Sequence, residues 1–436
     1  MTTRFSQYAF APSLPGTAGH ERTMPARLAE EVNVKDFGAV GDGSTDDTTA
    51  IQDAFNFAFG SITAPHGQNC FQNKTVFFPA GIYKVTSTLQ IKWLRGGHVR
   101  GAGRDSTIIK YMGPIAGGHF VPKGMGLSTG TRTSLFQTDG CWMSRFDGLS
   151  FQVTGGAGSS GNDFTVAFNL DWADNGPGNV NLADILFTNC AFYGATVGML
   201  IATSDLQGDT VTWINCVFDD CLYAVVNDCQ NAIASGMLGG RISRCYIGMA
   251  TNSGVCQKIL GTFFADNAEA DINDTTGTPS LYVGCYSESA NFFNSDWSSP
   301  VIIACRHNSN LTGKFCRINK GTPNPNAVLF ANYSKNGSLW GDRNPELPVY
   351  FYLSCNQFDS ASWLGRAAYI LEYKTLGSIP LTWASLPNRW QAEGLVVSTS
   401  QSAVNPIGNW GANVSGSGSY HAMLHFNGAN WTIMGA

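Results

Sequence analysis

Five acidic residues, Asp219, Asp220, Asp266, Glu269 and Glu288, fall close to one register of a phrase that recurs along the middle of the chain. Asp219, Asp220 and Glu288 stand three or four places after a cysteine, as does Asn308, and Asp266 and Glu269 lie near the same place. Two carboxyl groups held a few ångström apart can share acid–base work. One protonates a leaving oxygen while the other attacks, or activates water. At a sugar centre the separation is about 5 to 5.5 Å for retention and about 6.5 to 9.5 Å for inversion. If the phrases stack about 4.8 Å apart, Asp266 or Glu269 is one step from Glu288, and Asp219 is roughly 10 Å from Asp266. Both geometries are in reach, so spacing leaves the stereochemistry open. The competing reading of each acid is a solvated turn residue, and for Asp271 and Asp274 that is the expected one.

A second chemistry draws on other side chains of the same stretch. Removing a proton beside a carboxylate needs a base, and cations to hold the resulting enolate. Arg244, Tyr286, Arg306 and His307 fall near the right positions, although a lone histidine is equally a structural residue. Trp172 sits in a polar excursion over residues 155–180, the kind of insertion that often carries binding.

The elements that position these residues follow from the phrase itself. It reads Ile185-Leu-Phe-Thr-Asn-Cys190-Ala-Phe192, then Val211-Thr-Trp-Ile-Asn-Cys216-Val-Phe218, and returns around Cys245, Phe264, Cys285 and Cys305 in steps of 19 to 29 residues. A repeat of this length is the mark of stacked solenoid coils. Each copy is a β-branched and aromatic run ended by Asn, Gly, Asp or Ser, so the coils are strands joined by turns. An all-β parallel β-helix is predicted, with the cysteines as a buried inward column and Asn189 and Asn215 as a hydrogen-bonded ladder. Asn-Gly and Asp-Gly hairpin turns are scarce between the copies, which argues against an antiparallel sandwich.

Composition sets limits. Lys and Arg total 26 against 31 Asp and Glu, a net charge of -5, which gives no basis for nucleic-acid binding. No apolar run reaches the length of a membrane-spanning helix. The start, Met1-Thr-Thr-Arg-Phe-Ser-Gln-Tyr, does not look like a secretory signal. The twelve cysteines contain no CxxC pair and read as reduced core residues, so no metal or other cofactor is expected.

Residues 1–31 read as an extended arm or attachment segment, with a short helical turn at Arg27–Glu31. Val32-Asn-Val-Lys-Asp-Phe37 suggests a strand and Gly41-Asp42-Gly43 a turn. Asp46 then caps a helix near 46–59 whose apolar face is Ala50, Ile51, Ala54, Phe55 and Ala58. Such a helix would close the open end of the solenoid, with Asp42, Asp46 and Asp47 as turn and cap residues rather than calcium ligands. Gly101-Ala-Gly103 is a turn and not a dinucleotide site, and Gly126-Leu-Ser-Thr-Gly130 is no hydrolase elbow. After Gly321 the rhythm changes, so the helix is assigned to 32–321 and a small β-rich C-terminal domain to 322–436, ending in a hairpin around Asn427-Gly428. That tail holds six of the eleven tryptophans, read as core or interface residues ahead of sugar contacts.

The run Val34-Lys-Asp-Phe-Gly-Ala-Val-Gly-Asp-Gly-Ser-Thr-Asp-Asp-Thr-Thr-Ala-Ile-Gln52, with Val76-Phe-Phe-Pro-Ala-Gly-Ile-Tyr-Lys-Val85 and Val99-Arg-Gly-Ala-Gly103, resembles the first coils of the pectate-lyase superfamily. These are the rhamnogalacturonase- and epimerase-like proteins that include many bacteriophage tailspikes. The close likeness covers about 70 residues and extends loosely to about residue 320. The resemblance implies a right-handed parallel β-helix, a homotrimer, and a virion-tail protein acting on a bacterial surface polysaccharide, held to another tail protein through residues 1–31. It implies glycosidic hydrolysis first, with a non-catalytic receptor-binding protein or a polysaccharide lyase as alternatives. Of the signatures of the polygalacturonase branch only Asp219-Asp220 and a broken Arg317-Ile-Asn319 stand here.

Overall fold

The computed structural model describes residues 9–10, 22–23, 30–60, 74–115, 118–119, 129–130, 132–153, 164–170, 182–201, 208–227, 235–251, 257–275, 280–295, 299–318, 326–341, 349–354, 356–358, 368–373, 396–402, 413, 420–426 and 431–435. The chain winds as a right-handed parallel β-helix. Through the middle of the chain each rung contributes three strands, and each strand pairs in parallel with the strand three places on, which gives three walls. Wall A contains Leu182–Thr188, Gly208–Ile214, Gly236–Leu238 and Lys258–Leu260; wall B contains Ala191–Tyr193, Val217–Asp219, Arg241–Ser243 and Phe263–Ala265. Wall C contains Thr165–Asn169, Val197–Ile201, Tyr223–Asn227, Ile247–Thr251 and Ala270–Asp274.

The bend from wall A to wall B is made by one residue per rung in the left-handed conformation. Gly148, Asn189, Asn215, Gly239, Gly261, Gly284, Ala304 and Ala331 occupy this corner with φ between 50° and 64°. An L-residue there costs about 1–2 kcal/mol, which is why Gly and Asn dominate and nothing β-branched occurs. Asn215 donates from Nδ2 to Asn189 Oδ1 at 2.8 Å, the expected ladder.

The residue after the bend points inward. The register makes this column Cys190, Cys216, Gly240, Thr262, Cys285, Cys305, Asn332 and Asn356, in steps of 20 to 27 residues. Its cysteines are buried as predicted. Cys245 and Phe264, however, do not belong to it. Cys245 stacks on Cys221 at the next corner, between walls B and C, and Phe264 lies three residues beyond its rung's bend at Gly261. The inward side chains also serve the backbone. Cys285 N–H donates to Cys305 Sγ at 3.4 Å, Cys305 N–H to Asn332 Oδ1 at 2.8 Å and Cys245 N–H to Asn267 Oδ1 at 3.0 Å. Cys or Asn from the next rung thus answers an N–H that the bend turns inward, which a buried donor requires. Burial pushes the Cys141 thiol up to about 12 and Cys190 well above its ordinary value, so these thiols stay protonated and pack as small apolar groups.

Like stacks on like through the core. Phe151, Phe192 and Phe218 stack with centroids 5.3 and 4.6 Å apart, and Phe146 stacks on Phe187 at 5.0 Å. Wall C is buried on both faces. Its outward Val166, Val197, Leu200, Val226 and Ile247 form a second apolar cluster, so its strands read as unbroken apolar runs.

Helix α1, Thr48–Phe59, closes the first rung with Ile51, Ala54, Phe55, Ala58 and Phe59 inward. Gln52 accepts from Gln90 N–H at 2.9 Å and donates to Gln90 O at 2.8 Å, so its amide replaces the missing neighbour strand at the sheet edge. Asp46 accepts from Thr48 N–H, whereas Asp47, the N-cap by position, turns its carboxylate to Val40 and Gly41 N–H. Asp42 accepts from Ser44 N–H, Thr45 N–H and the Thr45 hydroxyl, and those bonds hold its carboxyl down at about 2. The three acids are therefore turn and cap residues. Gly101 sits where a Cβ would meet Gly148 O at 2.3 Å, a packing requirement of the turn.

Two boundaries shift. Parallel rungs continue past residue 321 through Asn326–Phe330, Val349–Ser354 and Ala368–Tyr373. Only Val396–Ser402, Tyr420–Phe426 and Trp431–Gly435 form a separate antiparallel sheet, with Asn427-Gly428 outside the described residues. The segment Arg27–Glu31 lies mostly outside them too, and Glu31 begins a strand.

The left-handed corner makes a direct prediction. Asn215→Val should lower stability by about 1–2 kcal/mol, whereas Asn215→Gly should stay within about 0.5 kcal/mol of the parent. Thermal and denaturant unfolding of the two variants measures the difference.

Candidate functional site

The three walls offer different outer surfaces. Wall C is covered, and the later rungs of wall A are aliphatic; over those same later rungs wall B carries aromatic, cationic and acidic groups together. Its strands alternate, so Phe192, Phe218, Ile242, Phe264, Ser287 and His307 point inward and their neighbours outward. One outward column reads Val217, Arg241, Phe263, Tyr286, Arg306 and Tyr333 on successive rungs. Phe263 and Tyr286 lie 5.6 Å apart, and the Arg306 guanidinium sits over both Tyr286 (5.7 Å) and Tyr333 (5.3 Å). The rings are half-buried and the arginines exposed. Asn308 donates to the Tyr286 hydroxyl at 3.2 Å and fixes its tip.

Beside this column runs the corner between walls B and C, again made by left-handed residues: Gly194, Asp220, Arg244 and Asp266, with φ from 53° to 70°. The last three are exposed and occupy successive rungs. Asp219 is buried and accepts from Ser243 Oγ at 2.8 Å and Arg244 Nε at 3.1 Å, with Arg244 Nη2 on its second oxygen. This pairing with Asp219, reinforced by Asp220 and Asp266, holds the Arg244 guanidinium above its ordinary value. Asp219 is thus a fixed counter-ion and not a free acid or base. Glu288 N–H bonds to Phe264 O, which puts Glu288 opposite Ala265, exposed, one rung from Asp266.

The structure therefore gathers Asp220, Arg244, Asp266, Tyr286, Glu288 and Arg306 along one wall and its corner. Other expected members fall elsewhere. His307 is fully buried, with Nε2 2.9 Å from Ser289 O and Nδ1 2.9 Å from Ser334 Oγ. Burial lowers its pKa, so the neutral ring donates from Nε2 and accepts at Nδ1. It cannot meet a ligand on the wall. Glu269 precedes wall C strand Ala270–Asp274 and its N–H bonds to Tyr246 O, round the corner from Glu288. Trp172 lies outside the described residues. Arg241, Phe263 and Tyr333 were not foreseen. They share the strand position of Tyr286 and Arg306; the misaligned phrases at Cys245 and Phe264 hid Arg241 and Phe263, and the boundary drawn at residue 321 hid Tyr333.

Beneath the wall lies a polar interior. Asp271, expected in a turn, is fully buried in wall C and accepts from Asn267 Nδ2 at 2.8 Å and Ser287 Oγ at 2.5 Å. Asp274 is buried as well, accepting from Thr251 Oγ1 at 3.2 Å and the Tyr282 hydroxyl at 3.1 Å. Burial raises the Asp271 carboxyl to about 7 against the bonds that favour its anion. Ser287 is the inward residue between Tyr286 and Glu288, and Asn267 follows Asp266 directly. The buried network thus anchors the backbone that presents the outer groups.

Residues 31–250, half of the 436-residue chain, match the family described as rhamnogalacturonase A/epimerase, pectate-lyase-like. The mannuronan C5-epimerase AlgE2 of Azotobacter vinelandii is 40% identical over 87 residues, 18% of this chain and 8% of the relative, so the chain spans under a tenth of that protein's length. The A-module of the mannuronan C-5 epimerase AlgE4 of Azotobacter vinelandii superposes with a TM-score of 0.50 at 14% identity, over 78% of this chain and 91% of that one. That likeness shows the fold. The Dettilon tailspike protein gp208 superposes with a TM-score of 0.49 at 14% identity, over 93% of this chain and 78% of that one.

Asp271 gives the stability a defined pH dependence. Its folded value lies above the unfolded 3.8, so the folded state binds more protons between about pH 4 and 7. Its contribution should therefore be most favourable below pH 4 and decline as pH rises toward 7, by a few kcal/mol in all. Unfolding measured from pH 4 to 8 should show this decline, and Asp271→Asn should flatten it.

Proposed function

The chain belongs to the rhamnogalacturonase A/epimerase, pectate-lyase-like family, and on that footing we propose that it binds a polysaccharide along wall B and hydrolyses it. The observation that carries this reading is the outward column Arg241, Phe263, Tyr286, Arg306 and Tyr333 with the carboxylates of Asp266 and Glu288 alongside. Sugar rings have apolar C–H faces that stack on aromatic side chains, and guanidinium groups bond hydroxyl or carboxylate oxygens in pairs. A wall repeating every ~4.8 Å suits an extended polymer of repeating units.

Asp266 and Glu288, on adjacent rungs, are the acid and base of this proposal. One protonates the glycosidic oxygen while the other acts on the sugar carbon or on water. Asp220 is two rungs from Asp266, roughly 10 Å along the axis, and is the alternate second carboxylate. Arg244, flanked by Asp220 and Asp266 and locked to Asp219, keeps the acidic corner from repelling itself. Tyr286 supports a second reading, elimination, because its hydroxyl is oriented by Asn308 and its ring lies under Arg306. We extend the proposal to a virion-tail protein that acts as a homotrimer on a bacterial capsule, exopolysaccharide or O-antigen, with residues 1–31 as the attachment segment. The likeness of the first coils to those of phage tail proteins supports it.

Incubation with surface polysaccharides of candidate hosts tests the activity. New reducing ends without a 4,5-unsaturated chromophore are expected. The chromophore would give Tyr286 the chemistry, and retention without cleavage would leave a binding protein. Asp266→Asn and Glu288→Gln should each cut cleavage by at least about 100-fold with the fold intact. Phe263→Ala and Tyr286→Ala should weaken binding by roughly 1 kcal/mol each, several-fold in Kd. Full activity in both carboxylate variants would refute the assignment.

A further inference from the structure

Gly101-Ala-Gly103 makes the bend from wall A to wall B on an early rung, and Arg104 and Asp105 at its tip reach across the rungs that follow. Asp105 is left-handed, with φ of 68°. Its N–H donates to Ser150 Oγ at 3.0 Å, and its Oδ1 accepts from Ser150 Oγ at 3.2 Å and from the Tyr193 hydroxyl at 2.8 Å. Arg104 reaches further. Its Nη1 donates to the carbonyl of Asn215 at 2.9 Å, 111 residues along the chain. One short turn is thus tied to three successive rungs of wall B, those of Ser150, Ala191 and Val217. These three outward residues are 0, 0 and 8% exposed, although they stand in the same column as exposed Arg241. The base of the turn is held as well. Ser106 and Thr107 N–H both return to Gly103 O, and a Cβ on Gly148 would come within 3.3 Å of Gly103 Cα.

Wall B is therefore divided. From Arg241 to Tyr333 its outward column is open, and from Ser150 to Val217 it lies under a strap. We infer that the strap of residues 101–105 is an end-stop, so that wall B takes the end of a glycan chain and not an internal stretch. The inference rests on the polysaccharide reading of wall B and adds which part of the polymer is held. A chain lying on the rings of Phe263 and Tyr286 follows the column and meets Arg104 one rung beyond Arg241. To continue, it must lift off the wall and give up its ring contacts and guanidinium bonds. A chain end loses nothing there. Its last sugar sits over Val217 between Arg104 and Arg241, whose further N–H groups donate to the oxygens that a terminal unit leaves free. Asp266 and Glu288 stand two and three rungs past Val217, about 10 and 14 Å along the axis. Cleavage between them releases a short product of one length.

Stoichiometry on chains of different length tests this whether or not the glycan is cleaved. Capsular polysaccharide and O-antigen from candidate hosts are separated into length classes. Sedimentation then counts the copies of the full chain, carrying Asp266→Asn/Glu288→Gln, that bind each polymer molecule. The same count at every length is expected. Adding Arg104→Ala/Asp105→Gly opens the wall, and the count should then rise in proportion to length. Glycine suits the left-handed backbone at 105, and Arg104→Ala alone carries the test if the pair disturbs the fold. Where the wild type cleaves, it should release one oligosaccharide length from the first minutes, and the opened variant a mixed ladder. A count that scales with length before the strap is opened, or one that opening leaves unchanged, would overturn the end-stop and leave the polysaccharide reading standing. Failure of every polysaccharide to bind would overturn both.

Discussion

One left-handed residue at each of two corners of the rung governs this molecule. A β-strand cannot turn sharply within a helix of strands without giving up ladder bonds, and a single αL residue makes the bend in the shortest length. Because the bend falls at the same place on every rung, the residues on either side are locked in phase although the rungs differ in length. The cost is an inward N–H with no ladder partner, and the next rung's Cys or Asn answers it at Cys285, Cys305 and Cys245. The cysteine phrase is the trace of that requirement, and it marks a hydrogen-bonding position as much as a packing one.

Phase is what converts the scaffold into a site. An outward residue on wall B recurs about every 4.8 Å, so side chains up to 92 residues apart in the chain, from Arg241 to Tyr333, stand in one file. The same device brings Asp220, Arg244 and Asp266 together at the second corner. Below them the interior is polar where the outside must be rigid. Asn267, Asp271, Ser287 and Ser289 are all buried beneath the strand that carries Tyr286 and Glu288. A buried network of this kind is stabilising only when each member is satisfied. Asp271 meets that condition through its bonds to Asn267 Nδ2 and Ser287 Oγ.

The sequence was most legible where one residue type had one reason to recur. The inward cysteines, the Asn189–Asn215 ladder and the apolar face of helix α1 were all readable from spacing. Reading failed where two corners use the same vocabulary. Cys245 follows a left-handed residue just as Cys216 does, so the two corners look alike in one dimension, and Arg241 and Phe263 were lost with the register. His307, Asp271 and Asp274 misled for another reason. Asp271 and Asp274 were read as turn residues and His307 as a site residue, and only the buried network explains why these three face inward from strands. The boundary near residue 321 was set by prolines, but parallel pairing continues beyond it through Asn326–Phe330, Val349–Ser354 and Ala368–Tyr373.

The central claim is that a glycan lies along wall B, and covalent footprinting in the presence of a polysaccharide that the protein retains or cleaves tests it most directly. The account predicts reduced labelling at Phe263, Tyr286 and Tyr333, with Ile82 and Met112 unaffected. Unchanged labelling of those three rings, with protection appearing elsewhere on the chain, would contradict it.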